Sequence, residues 1–166
     1  MPFKRQLLLC MMIEIERKFL VNSKAFKSEA FNSYAIKQGF LNSHKERTVR
    51  VRLKKELGYL TIKGKSTANG LSRFEWEKEI SIIEAESLLE LCEASMIEKT
   101  RYEVRLGNHI FEIDEFFGDN KGLIIAEVEL NSEDEAIEYP KWLGKEVTGE
   151  VKYYNSQLSK NPFTTW

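Results

Sequence analysis

Eight segments of this chain have the two-residue period of β-strands, and in most of them charged side chains alternate with apolar ones. They are "IEIERKFLV" (13–21), "YAIKQGFL" (34–41), "RTVRVRLKK" (47–55), "GYLTIKGK" (58–65), "SRFEWEKEISI" (72–82), "KTRYEVRL" (99–106), "HIFEIDEF" (109–116) and "GLIIAEVEL" (122–130). Each is rich in β-branched or aromatic residues, which fit a pleated, half-buried surface. Short connectors such as Leu106-Gly107-Asn108-His109 predict antiparallel hairpins, and pairing of consecutive strands gives an up-and-down meander.

Alternate side chains of a strand share a face. Glu14, Glu16 and Lys18 therefore line one side of the first segment, with Ile13, Ile15, Phe19 and Val21 on the other. By the same parity Arg50 and Arg52 oppose Val49, Val51 and Leu53. Thr61, Lys63 and Lys65 oppose Leu60 and Ile62, and Arg73, Glu75, Glu77 and Glu79 oppose Phe74, Trp76 and Ile80. Lys99, Arg101, Glu103 and Arg105 oppose Tyr102, Val104 and Leu106; Glu112 and Asp114 oppose Phe111 and Ile113; Glu127 and Glu129 oppose Ala126, Val128 and Leu130. A polar face in water is ordinary for one antiparallel strand. Here the polar faces hold little Ser, Thr, Asn or Gln and much Arg, Lys and Glu, with carboxylates at i, i+2 on several strands.

Two closed architectures meet this pattern. In one, apolar faces fill the barrel and the charges are solvated; in the other, helices cover an apolar exterior and the charges line a tunnel. A charged lumen needs compensation, because an unpaired buried charge is strongly destabilising. With 25 Lys and Arg against 26 Asp and Glu, both signs are at hand. Carboxylates at i, i+2 offer hard oxygens to Mg²⁺ or Mn²⁺, and Arg and Lys on facing strands bind phosphate oxygens. The chemical complement is a metal-bound polyphosphate. No GxxxxGK[ST] loop, GxGxxG turn or GxSxG elbow offers a competing site.

At 166 residues with a net charge of −1, the chain is one domain's length and lacks an overall basic signature for nucleic acid or membrane. Cys10 and Cys92 form no disulfide framework, and a reducing cytoplasm fits them. Residues 1–11 are read as an N-terminal extension preceding the natural start at Met11 or Met12, and 12–166 as a single domain. The segment from 83 to 96 places Ala85, Leu88, Leu89, Cys92 and Met96 on one helical face. Ser132-Glu133-Asp134-Glu135 matches a capping box for a short helix through Ile137, Thr148 suits the cap of a C-terminal helix containing Tyr153 and Leu158, and residues 22–31 read as helix or loop.

Glu14-Ile15-Glu16-Arg17-Lys18 resembles the ExExK signature of the CYTH domain, the triphosphate tunnel metalloenzymes. "KQGFL", "VRVRL", "TIKG", "LSRFEWE", "EKTRYE", "FEIDEF", "AEVEL" and "EVTGEVKYYN" come after it in register, so that the resemblance spans about Met12 to Leu158. It implies an α+β fold: an eight-stranded antiparallel β-barrel, open at the ends, with a charged lumen and helices packed outside. It also implies one or two divalent cations, Mg²⁺ or Mn²⁺, a small-molecule triphosphate or polyphosphate substrate, and a homodimer as in relatives. By position Lys18, Arg50, Arg52, Lys63, Lys99 and Arg101 hold phosphate oxygens, joined by Arg73 and Lys152. Glu14, Glu16, Glu127 and Glu129 form the metal side, and Glu75, Glu77 and Asp114, with Glu14 and Glu16, carry the catalytic roles of orienting water, metal or basic residues. Glu112 matches less tightly and is read as structural. Two departures are visible: Phe40 stands where short bacterial tripolyphosphatases have Tyr, and Val151 where a second basic residue is common. The activity implied is metal-dependent hydrolysis of a linear triphosphate, inorganic tripolyphosphate first, or a nucleoside or thiamine triphosphate. The alternatives are a CYTH-type adenylate cyclase releasing cAMP and pyrophosphate, a non-catalytic polyphosphate-binding module, and an RNA-binding barrel.

Overall fold

A computed structural model describes residues 12–93 and 95–166, so the expected extension at 1–11 lies outside the described residues. The chain runs β1 (Ile13–Val21), α1 (Phe26–Glu29), β2 (Asn32–Asn42), β3 (Arg47–Lys54), β4 (Leu57–Gly64), β5 (Ser72–Ile80), α2 (Ile82–Leu89), β6 (Ile97–Leu106), β7 (His109–Phe116), β8 (Ile124–Glu129), β9 (Leu143–Glu146) and α3 (Asn155–Leu158). The first eight strands close into an antiparallel barrel in the order β5-β4-β3-β2-β6-β7-β8-β1, sealed by β1 against β5. All eight strand segments expected from periodicity form. A ninth, β9, was too short to show a period, and it pairs with β1 outside the ring.

The order departs from a consecutive meander at two places. β1 pairs with β8 and β5 rather than β2, and β6 pairs with β2 rather than β5. The β5-to-β6 crossover runs through α2, whose apolar face lies on the outside of β3 and β4, where Ala85 and Leu89 pack with Val51, Leu53 and Leu60. Gly58 makes that approach tight: a Cβ there would sit 2.6 Å from Ala85 Cβ. A Ser81–Glu84 capping box opens α2 as a favourable N-terminus. The helix ends at Leu89 instead of running toward Met96, yet Cys92 and Met96 pack on the same cluster from beyond its end.

Of two other expected helices, one is absent and one is shortened. Residues 132–137 form a bend and turn followed by irregular chain, because the Glu135 carboxylate accepts from Asn131 and meets His109 Nε2 at 3.1 Å instead of capping a helix at Ser132. Thr148 caps nothing: its hydroxyl accepts from Lys18 N at 2.9 Å and donates to Glu146 at 2.7 Å, tying the C-terminal segment to β1. Beyond it the chain makes a single turn, Val151–Tyr153, and then the short α3.

Three apolar clusters hold the barrel. Phe19, Phe111, Ile113 and Val128, on the outer faces of β1, β7 and β8, are covered by Phe26 of α1 and by Trp142. Full burial of side chains this large contributes about 1.5–3 kcal/mol each. The α2 cluster covers β3 and β4. The third is different in kind: Ile97, Phe116 and Ile125 share strand faces with Lys99, Asp114 and Glu127, so they point inward, and Tyr153 and Leu158 pack against them. The C-terminal segment thus fills one end of the lumen with an apolar plug.

Candidate active site: a charged tunnel

Inside the barrel, beyond the plug, lies a cavity of about 260 Å³ lined by alternate residues of the strands. Of the two architectures that strand parity leaves open, the second forms, as the resemblance implies: the charged faces line the lumen. Glu14, Glu16 and Lys18 of β1, Arg50 and Arg52 of β3, Lys63 of β4, Arg73, Glu75 and Glu77 of β5, Lys99 and Arg101 of β6, and Glu127 and Glu129 of β8 all border it, as does Glu112 of β7. Asp114 lies behind the lining at 1% exposure, beneath Lys99 and Arg101. Lys152 stands apart. It is exposed, with its ammonium 4.6 Å from the centroid of the Trp166 ring, and is absent from the cavity lining.

Cations and carboxylates form linked pairs across strands. Arg101 forks onto Asp114 with two contacts of 2.7 Å, and Lys99 Nζ reaches the same carboxylate at 2.6 Å. Burial opposes ionisation of Asp114, but Arg101 and Lys99 hold its carboxyl below the usual range. Lys63 bridges Glu14 at 2.8 Å and Glu75 at 2.6 Å, while Arg73 Nε donates to Glu14 at 3.0 Å. Glu77 accepts from Arg52 at 3.1 Å and from the Thr61 hydroxyl at 2.7 Å. Lys18 pairs with Glu127, whose carboxyl is held well below the usual range by Lys18 and Arg101 against the opposing effect of burial.

Two carboxylates behave in the opposite sense. Glu16 and Glu129 are register partners across β1 and β8. Burial, then Glu127 and Glu14, raise the Glu16 carboxyl; burial, then Glu14 and Glu112, raise that of Glu129. Glu16 keeps only longer contacts with cations, 3.6 Å to Lys18 and 3.5 Å to Arg73. The four glutamates grouped as a metal side thus divide: Glu14 and Glu127 are matched by cations, while Glu16 and Glu129 face each other. Among the described residues no three His, Cys, Asp or Glu side chains converge as a ready-made metal cluster. Facing carboxylates held above their usual range are nevertheless a donor set that a hard cation would relieve.

On the basic side, burial and then Arg52 lower Arg50 to about 10, and burial lowers Lys99 to about 8 despite Asp114. In both, burial works against the charged form, for Lys99 in spite of its 2.6 Å contact with Asp114. Among the described residues, Arg50 Nε and Arg52 Nε are buried without a hydrogen-bond partner. An anion in the cavity would meet all of these needs.

Several lining residues escaped the sequence reading. Lys54 shares the Arg50/Arg52 face and could have been found by extending the parity one step. No strand period places Tyr154, Asn155 or Ser156, which come from the C-terminal segment; Tyr154 and Asn155 fall within the "EVTGEVKYYN" match, where Asn155 keeps the family residue, but no role is assigned to them. Lys18 and Arg73 lie over the Tyr154 ring at 6.0 and 5.8 Å, and Asn155 Oδ1 accepts from Lys99 Nζ at 3.3 Å.

The family model described as the CYTH domain matches residues 12–161. The chain is similar to an inorganic triphosphatase of Acetivibrio thermocellus, 48% identical over 151 residues, covering 90% of this chain and 95% of that protein. It is also similar to an inorganic triphosphatase of Nitrosomonas europaea, 36% identical over 153 residues, covering 89% and 97%. A solved crystal structure of an inorganic triphosphatase superposes with a TM-score of 0.64 at 33% identity, covering 88% of this chain and 93% of that one. With the charged barrel, the ExExK strand and these relatives in agreement, the chain belongs to the CYTH domain family.

Proposed function

We propose that this protein is a divalent-metal-dependent hydrolase of a linear triphosphate, with inorganic tripolyphosphate as the preferred substrate. The observation that carries the reading is the segregation inside one cavity. On one wall burial holds Arg50 and Lys99 below their usual ranges, and Arg50 Nε and Arg52 Nε have no hydrogen-bond partner among the described residues; on the other, burial and neighbouring carboxylates hold Glu16 and Glu129 above theirs. A metal–triphosphate complex carries the opposite sign for each. Its relatives named inorganic triphosphatase support the same substrate class.

In this reading Arg50, Arg52, Lys63, Lys99 and Arg101 bind and align the phosphate chain, with Lys18 and Arg73 flanking it. Glu16 and Glu129, with Glu14 and Glu127 beside them, hold the cation, Mg²⁺ or Mn²⁺, as one or two ions. A bound divalent ion supplies neutralisation of phosphate charge and polarisation of water. Glu75 and Glu77 keep Lys63 and Arg52 in place through the contacts described, and Asp114 does so for Lys99 and Arg101. Water adds to a terminal phosphorus in line with the phosphoanhydride oxygen; that P–O bond breaks, giving phosphate and pyrophosphate. Catalysis rests on position and charge, with no covalent intermediate. The proposal extends to a reducing cytoplasm; no helix of the described residues is long and apolar enough to cross a membrane.

The test is a panel of tripolyphosphate, ATP and thiamine triphosphate with Mg²⁺, Mn²⁺ or chelator, monitored for phosphate and for cAMP. Metal-dependent phosphate release from tripolyphosphate is expected. cAMP as the main product from ATP would establish the cyclase instead, and tight binding without turnover in either metal would establish a binding module.

A further inference from the structure

On the tunnel face of β2, Ile36, Gln38 and Phe40 succeed one another at alternate positions, and Phe40 lines the cavity. Gln38 is fully buried at 0% exposure, just behind the residues that line the cavity, and among the described residues both its amide nitrogen and its carbonyl oxygen lack a hydrogen-bond partner. Its register partners are Arg52 on β3 and Ile97 on β6, so it sits at the border between the charged lumen and the apolar plug. Arg52 Nε, opposite, is also without a partner, as is Arg50 Nε two residues away.

A buried carboxamide with neither end satisfied destabilises the free protein, and a Leu or Met of similar volume would pack there without that penalty. Directly opposite residues in an antiparallel pair have Cβ atoms about 5 Å apart, so the Gln38 amide and the Arg52 guanidinium can reach one shared oxygen. A third cation at this spot would crowd Arg50 and Arg52, which already repel each other. An amide offers a directional donor to an anion without adding like charge.

We propose that Gln38 becomes a substrate-binding residue of the tunnel when a bound triphosphate draws Arg52, its cross-strand partner in the lining, toward the cavity: Nε2 then donates to a phosphoryl oxygen whose charge is held by Arg52, and Oε1 turns toward the Arg52 Nε–H. The proposal rests on the triphosphate reading and adds to it a neutral contact reached from behind the lining, at the border with the plug.

The test compares the intact wild-type chain with Gln38→Leu, Gln38→Met and Gln38→Glu. Thermal melts are recorded without substrate, tripolyphosphate affinity by calorimetry, and KM and kcat with Mg²⁺ or Mn²⁺. Gln38→Leu and Gln38→Met should melt at or above the wild-type temperature yet bind tripolyphosphate about tenfold more weakly, the loss expected for one hydrogen bond to a charged group. Gln38→Glu should bind more weakly still. Affinity within about twofold of wild type in both apolar variants overturns the proposal, as does a lowered melting temperature with unchanged affinity, which marks a structural amide. Should Gln38→Leu fail to fold, Gln38→Met decides by the same criteria. A wild-type protein that binds no tripolyphosphate overturns the triphosphate reading as well, and is told apart from the other failures because it needs no variant.

Discussion

Glu16 on β1 and Glu129 on β8 are direct cross-strand partners, and each carboxyl is raised above its usual range by burial and by neighbouring carboxylates. Like charges directly opposite in a sheet are destabilising, so the free protein holds a charge arrangement that a cation would relieve. The mismatch gives these two residues an expected behaviour distinct from that of Glu14 and Glu127, which have their own cations.

Glu16→Gln and Glu129→Gln should each stabilise the metal-free protein at neutral pH while reducing metal-dependent turnover by about a hundredfold or more. A raised carboxyl contributes stability that is present below its unfolded pKa and is lost as pH rises through the folded value. The stabilisation by the amides should therefore vanish in acid. Thermal melts against pH in chelator, with and without added Mg²⁺, measure this; a melting temperature lowered at neutral pH in both variants would contradict it.

Asp114→Asn should be the most damaging single-atom change in the tunnel. It leaves Lys99 and Arg101, both buried, without their shared carboxylate, and breaking a buried pair in this way costs about 3–5 kcal/mol. Because the Asp114 carboxyl is held low, its contribution is present above its unfolded pKa and lost as pH falls through the folded one. The difference between wild type and variant in chemical denaturation should therefore shrink toward acid.

Lys99 is expected to set an alkaline limb. Burial lowers it to about 8, so the free protein loses this cation as pH rises through that value, and an anion bound nearby favours the charged form. Tripolyphosphate affinity should fall above about pH 8. The wild type should take up protons on binding in excess of Lys99→Met, as measured by calorimetry in two buffers of different ionisation heat. Equal proton uptake by the two proteins would rule this out.

Lys152→Ala should leave turnover within about twofold of wild type, since the side chain is exposed over Trp166 and outside the cavity lining. A large loss of kcat/KM would place Lys152 over the substrate, as its position in "GEVKYYN" implies by resemblance, and would require the C-terminal segment to move on binding.

Much of the lining of the candidate site is legible in the sequence. Strand parity grouped Arg50 with Arg52, Lys99 with Arg101 and Glu127 with Glu129, and each pair lines the lumen. The same parity exposes Ile97, Phe116 and Ile125 on those inward faces, but it cannot tell that Tyr153 and Leu158, from far along the chain, close over them. The Ser132 capping box misled for a related reason. A four-residue pattern is compatible with several local structures, and the pairing of Glu135 with Asn131 and His109 decided among them. β9 offered no period because it is four residues long, held by hydrogen bonds to β1 rather than by its own sequence.

The sequence by itself determined which side chains share a face, because the two-residue period of a strand is a property of the local backbone. The period alone did not determine which face is inside, although the family resemblance implied a charged lumen. That came from closure of the ring with α1, α2 and the Trp142 segment covering the apolar exterior, leaving the charged faces the interior. Nor did it determine which carboxylate meets a cation and which meets another carboxylate. Glu14 and Glu16 are two residues apart on one face, yet Glu14 lies opposite Arg73 on β5 and Glu16 opposite Glu129 on β8. Their difference in charge environment arises from the position of β1 between those two strands, a relation that exists only once the barrel has closed.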